Sequence, residues 1–153
     1  MWEQLFSLTN AASLVGWAVL LLGSRRWLSV TRYAVVGFLC AVYVLLIVCL
    51  VAGVVDPVRD GPAPSILDYS VRGLRALFAS DGGIVIGWTH YLALDLFAGC
   101  WIAEDADRRG VGRVAQAPVL LLTFFAGPLG LLIWFVWRRL ASSLRIGPRQ
   151  DAG

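Results

Sequence analysis

The sequence predicts an all-α integral membrane protein, a bundle of four transmembrane helices with one short amphipathic interfacial helix. Three observations predict it. Of 153 residues, 59% are apolar and 15% are charged, where a soluble domain has about 25% charged residues. Four runs of 21 to 24 residues are free or nearly free of charge, each long enough for a helix to cross a hydrocarbon core of about 30 Å. None of the runs alternates polar with apolar residues as a barrel strand must. The composition excludes a disordered chain, a disulfide scaffold and a water-soluble globule. Residues 1–153 read as a single transmembrane domain.

The first predicted span, 4–24, follows Glu3 and precedes Arg25-Arg26. Its leading residues carry no Arg and no small-x-small cleavage site follows, so it is expected to remain in the protein rather than act as a removable signal. The second span covers 33–55. Trp2, Trp27, Trp101 and the Trp134/Trp137 pair fall near predicted helix ends, where a ring with a polar N–H is comfortable. Trp17 and Trp88 lie deeper, as packing residues do.

Residues 56–64 hold three prolines and a glycine and predict an extended or turning connector. Ser65 and Asp68 then have the spacing of a capping box. Leu67, Val71, Leu74 and Phe78 form one apolar stripe, with Asp68, Arg72 and Arg75 opposite. This pattern predicts an amphipathic helix over about 65–80, lying along the membrane surface as an anchor or covering a site as a lid.

The third span, 82–103, places His90 and Asp95 inside the hydrocarbon. A charged Asp there costs about 2.5–3.5 kcal/mol on insertion scales, so the group must be neutral, paired or facing a polar interior. Asp95 is either hydrogen-bonded glue between helices or an acid whose pKa burial has raised. His90 lies about 140° around the helix from it, so the two do not share a stripe. Tyr91 shares the face of Asp95, and Thr89 is beside His90. The helix runs on into Glu104, Asp105 and Asp107, acids that oppose the macrodipole. Pairing of Glu104 with Arg108 and Asp105 with Arg109, ended by Gly110, accounts for them. A divalent-metal site built from Glu104, Asp105 and Asp107 is the alternative, and no metal is the reading preferred.

The fourth span, 114–137, contains Gly127-Pro128-Leu129-Gly130. Proline frees the carbonyl of Phe124 and kinks the helix, and Thr123 is placed to satisfy a freed carbonyl. A kink opposite a polar third helix would open a pocket between helices. Cys40, Cys49 and Cys100 form no CxxC pair and read as small buried residues.

All 13 cations are Arg, and there is one Asn, the bias of a GC-rich genome. A net charge of +3 with no basic run interleaved with aromatics excludes a nucleic-acid platform. With the N-terminus outside, the inner loops hold six Arg (25, 26, 32, 108, 109, 113) and the opposite face seven (59, 72, 75, 138, 139, 145, 149). The flanks of the first helix favour the N-terminus outside, whereas the Arg-rich tail argues against it.

Trp88-x-His90-x-Leu92-Ala93-x-Asp95-Leu96-Phe97, then Asp105, then Pro128-x-Gly130 resembles the plant abscisic-acid-deficient membrane-protein family. Its plant members are required for forming neoxanthin from violaxanthin, and it has small bacterial relatives. The likeness is strongest over 88–105 and weakest across the first two helices. It implies a bacterial plasma-membrane protein that binds, and isomerises, a carotenoid or other isoprenoid without a cofactor. Opening an epoxide to an allene and an alcohol is redox-neutral and needs one acid and one base. Asp95 as acid and His90 as base would suit it, with Trp88, Thr89, Tyr91, Phe97, Phe124 and Pro128 around the substrate. The alternative class is non-catalytic: a membrane subunit, or a bundle that binds lipid or conducts protons. Expected partners are membrane lipid and the hydrophobic ligand, with a homo-oligomer or a membrane partner left open.

Overall fold

The structure, a computed structural model, describes residues 1–52, 54–55, 68 and 70–144. Its regular elements are helices: α1 (Trp2–Leu22), the helical stretch α2 (Arg25–Leu50), α3 (Val71–Leu77), α4 (Asp81–Arg108), α5 (Arg113–Phe125) and α6 (Gly127–Leu144). Of these, α1, α2 and α4 are long and apolar enough to cross a membrane. They coincide with the first three charge-poor runs. The chain divides into two compact units, Met1–Phe97 and the part from Ala98 onward, and α4 continues from the first into the second.

In the first unit α1, α2 and α4 share a core. Trp2, Leu46, Val85 and Ile86 are buried together, with Phe6, Val42, Tyr43 and Ile47 packed against them. Gly16 permits close packing of the three: a Cβ there would lie 2.6 Å from Leu96 and 3.1 Å from Val35. Three threonine hydroxyls in these helices find partners in their own turns, as hydrocarbon surroundings favour. Thr9 donates to the Leu5 carbonyl, Thr31 to that of Trp27 and Thr89 to that of Val85. Outward-facing Leu14, Val15, Val44, Leu45 and Leu94 remain exposed, the surface that lipid would cover.

α2 opens with a 3-10 turn at Arg25–Trp27 and widens into a π turn at Thr31–Val36. The connector 56–64, and residues 65–67 and 69 of the expected amphipathic helix, lie outside the described residues. The described helix begins later than the expected one. Ser70 caps it, its hydroxyl accepting the Gly73 N–H at 3.0 Å. Asp68 accepts the Ser70 N–H at 3.0 Å. The Ser70 hydroxyl and amide together hold the Asp68 carboxyl below the usual carboxylate range.

In the second unit α4 ends as its sequence predicts. Arg108 pairs with Glu104, and Arg109 donates to Asp105 at 2.9 Å. Gly110, at φ 72°, closes a Schellman turn in which Val111 N–H reaches the Ala106 carbonyl and Gly110 N–H that of Asp107.

The run expected to be a fourth span, 114–137, is two helices. The break falls at Ala126 (φ −154°, ψ 80°), two residues before Pro128. Continuing α5 would set the proline ring against the carbonyl of Phe124. Beginning a new helix at Gly127 instead puts Pro128 in a first turn, where its missing N–H costs nothing. Thr123 is not used to satisfy the break, because its hydroxyl bonds the Val119 carbonyl in its own helix. The result is a fold-back rather than a kink. A Cβ on Gly130 would lie 2.5 Å from the Thr123 nitrogen and 2.7 Å from its Cα. A straight helix would hold residues seven apart at about 10 Å.

Candidate functional site

In the first unit a pocket that carries polar groups lies where the C-terminal half of α2, the end of α3 and the N-terminal half of α4 meet. A cavity of about 290 Å³ is lined there by Tyr43, Ile47, Leu50, Leu77, Phe78, Gly83, Ile86, Gly87, His90 and Tyr91. Its walls are apolar except for one imidazole and two phenols. Two glycines one turn apart make room on α4. Gly87 lets the Phe78 ring settle against the helix, 3.0 Å from where a Cβ would stand at its Cζ. Gly83 does the same for the Leu77 carbonyl.

His90 and Tyr43 face each other across this space, ring centroids 5.2 Å apart and tilted by 43°. Tyr91 presents its edge to His90 at 6.1 Å. His90 is exposed and Tyr43 half-buried, so both rings are open to whatever occupies the cavity. A neutral imidazole has one nitrogen to accept and one to donate, and a phenol can donate. Apolar walls strengthen any hydrogen bond made to such groups.

Of the residues singled out in the sequence, His90 and Tyr91 therefore line one cavity. Asp95 is half-buried and is not among the lining residues. Thr89 is fully buried with its hydroxyl on Val85. Trp88 turns to α1, donating from its indole to Asn10 Oδ1 at 3.1 Å with its ring 6.0 Å from Phe6. Phe97 is exposed. Phe124 and Pro128 belong to the fold-back of α5 and α6 in the second unit. Tyr43 was missed in the sequence. It sits in the most apolar of the three long described helices, with no Asp, Glu, Arg or His close to it in sequence to draw attention to it.

The carboxylates considered for metal are committed to other partners. Asp105 Oδ2 accepts from Arg109 and, at 3.0 Å, from the Trp134 indole, with Arg138 at 3.8 Å. Asp107 accepts from the Gln116 amide at 2.8 Å. Among the described residues no group of three or more His, Cys, Asp or Glu gathers to hold a metal ion.

Three helices long and apolar enough to cross a membrane mark this as a membrane protein, and within its first unit an imidazole and a phenol meet beside an apolar cavity. Comparison with protein families makes the class specific. The chain matches ABA4-like, ABA DEFICIENT 4-like, over residues 4–134 and belongs to that family, in agreement with the resemblance carried by residues 88–105. Searches among curated proteins and among solved structures return no match.

Proposed function

We propose that this protein binds one end of a carotenoid or other isoprenoid lipid in the His90 cavity and isomerises it by redox-neutral acid–base chemistry. The observation that carries the reading is the His90–Tyr43 pair within apolar walls. At about 290 Å³ the cavity is at the small end of ligand-site volumes. It suits a single terminal ring, leaving the polyene along the lipid-facing helices.

In this scheme His90 removes a proton from a carbon beside the strained or oxygenated centre. A hydroxyl or carboxyl donates a proton to the oxygen whose bond to carbon breaks. For an epoxide the products are an allene and an alcohol, and no electron leaves the substrate. Tyr43 stands against His90 and is the nearer donor. Asp95, the acid expected from the sequence to suit this reaction, lies five residues on and about 140° around α4. Both are tested by the same experiment. The gene is deleted in its host, the isoprenoids and carotenoids are profiled, and wild type, His90→Gln, Tyr43→Phe and Asp95→Asn are returned in turn. The reading requires a species lost on deletion, restored by wild type and not restored by His90→Gln. Restoration by His90→Gln would remove acid–base catalysis by this residue.

A further inference from the structure

We infer that α5 and α6 form a re-entrant hairpin, so that the described helices cross the membrane three times and Met1 and Leu140 lie on opposite sides. The argument starts from the second unit alone. Gln116, near the start of α5, donates to Asp107 at the end of α4. Trp134 and Arg138, in the middle of α6, reach Asp105 one half-turn away on the same helix end. Trp101 meets Phe135 at 5.6 Å, and the Arg138 guanidinium lies 5.6 Å from the Trp101 ring. The chain therefore leaves the end of α4, turns at Ala126 and returns to the end of α4.

Length agrees with this path. The 13 residues of α5 rise about 20 Å, short of a hydrocarbon core of about 30 Å. The apolar part of α6 ends at Trp137, before Arg138 and Arg139, and is shorter still. The turn is apolar: Leu121, Leu122, Phe125 and Leu129 are all exposed there. The cations stand at the open ends, Arg113 on one arm and Arg138 and Arg139 on the other. A hairpin with a greasy tip and charged ends enters lipid tip first and leaves by the side it entered. The backbone groups freed at Ala126 are largely recaptured: Ala126 N–H bonds Leu122, and its carbonyl accepts from Leu129 and Gly130. This is what irregular backbone at membrane depth demands.

The charge distribution supports the same topology independently. With a fourth full span, the Arg of the described residues divide six to four between the two faces. With the hairpin, Arg25, Arg26, Arg32, Arg108, Arg109, Arg113, Arg138 and Arg139 fall on one face, and Arg72 and Arg75 on the other. Such a bias marks the richer face as cytoplasmic. The N-terminus is then outside, and the cavity of the first unit, at the start of α4 and the end of α2, lies in the outer half of the bilayer.

Single cysteines introduced into a protein whose Cys40, Cys49 and Cys100 are replaced by Ala test this in intact cells, with a membrane-impermeant maleimide and lysed cells as control. Suitable sites are Glu3→Cys, Arg72→Cys, Gly112→Cys and Leu140→Cys. All four residues are exposed, and a side chain at Gly112 meets nothing within 4 Å. Glu3→Cys and Arg72→Cys should label in intact cells, and Gly112→Cys and Leu140→Cys only after lysis, at least tenfold more strongly. Labelling of Gly112→Cys and Leu140→Cys from opposite sides would overturn the hairpin. Labelling of both only from outside would overturn the orientation.

Discussion

Replacing Gly130 by Ala probes the fold-back at its narrowest point. The added carbon would lie 2.5 Å from the Thr123 nitrogen and 2.7 Å from its Cα, where carbon contacts are comfortable at about 3.5–4.0 Å. Thr123 Oγ1 is nearer still, but it is the backbone that cannot rotate aside as a side-chain end can, so the two arms must separate by about 1 Å. Overpacking of this kind costs about 1–3 kcal/mol, and the greater helix preference of Ala returns up to about 1 kcal/mol. For a chain of this length each kcal/mol moves the unfolding midpoint by about 2–4 °C. Gly130→Ala should therefore fall by up to about 8 °C, and bulkier Gly130→Val by more. Tryptophan fluorescence of the detergent-purified protein, at one scan rate, reads this through Trp101, Trp134 and Trp137. Gly37→Ala is the control, because a Cβ there meets nothing within 4 Å. If Gly130→Val melts with Gly37→Ala, the close contact of the two arms does not exist.

Four further outcomes follow from the same geometry. His90→Gln should leave the fold intact and reduce turnover by about 10²–10⁴, the usual worth of a general acid or base, read as product per unit protein in the complemented host. Tyr43→Phe and Asp95→Asn separate the two candidate acids, since only loss of the donor should reproduce that fall; full turnover in both would eliminate both. Asp105→Asn breaks the shared acceptor of Arg109, Trp134 and Arg138 and should cost about 1.5–3 kcal/mol, the range for hydrogen bonds to charged groups, seen as a lower melting midpoint. Arg108→Gln removes a pair whose arginine is 69% exposed and should cost no more than about 0.5 kcal/mol, so a fall matching Asp105→Asn would contradict the ranking.

Much of the architecture was readable in the sequence because a hydrocarbon solvent leaves few options. Charge-poor runs at 4–24, 33–55 and 82–103 correspond to α1, α2 and α4, since a helix satisfies its own backbone in lipid. The pairs Glu104–Arg108 and Asp105–Arg109, with Gly110 as terminator, were legible because i,i+4 spacing and positive φ are local facts. The run 114–137 was misread for the complementary reason. Hydropathy measures how long a segment is apolar, and it carries no information about direction. A straight span and a hairpin have the same composition, and Gly127-Pro128 permits both. What decides between them is tertiary: Gly130 against Thr123, and the return of Trp134 and Arg138 to Asp105.

The cavity shows the same division. His90 was conspicuous as the single histidine in an apolar run. Its neighbour Tyr43 was not, because 47 residues separate them and Tyr43 has only aliphatic company in sequence. The roles of Gly83 and Gly87 were equally hidden. Their effect is to admit Phe78 and Leu77, and nothing in the local sequence names those partners. Trp88, prominent in the family motif, turned out to serve α1 through Asn10 rather than the cavity.

The most direct test of the central claim is what the cavity holds. Wild-type protein and Gly87→Leu, whose side chain would press on Phe78 and fill the space beside His90, are purified in the same detergent from the natural host. Organic extracts of both are then compared by mass spectrometry, with the folded state of each checked by its melting curve. The account predicts a carotenoid or other isoprenoid retained at a near-stoichiometric level by wild type and reduced at least tenfold in folded Gly87→Leu. Equal amounts in the two proteins, or no isoprenoid in either, would contradict it.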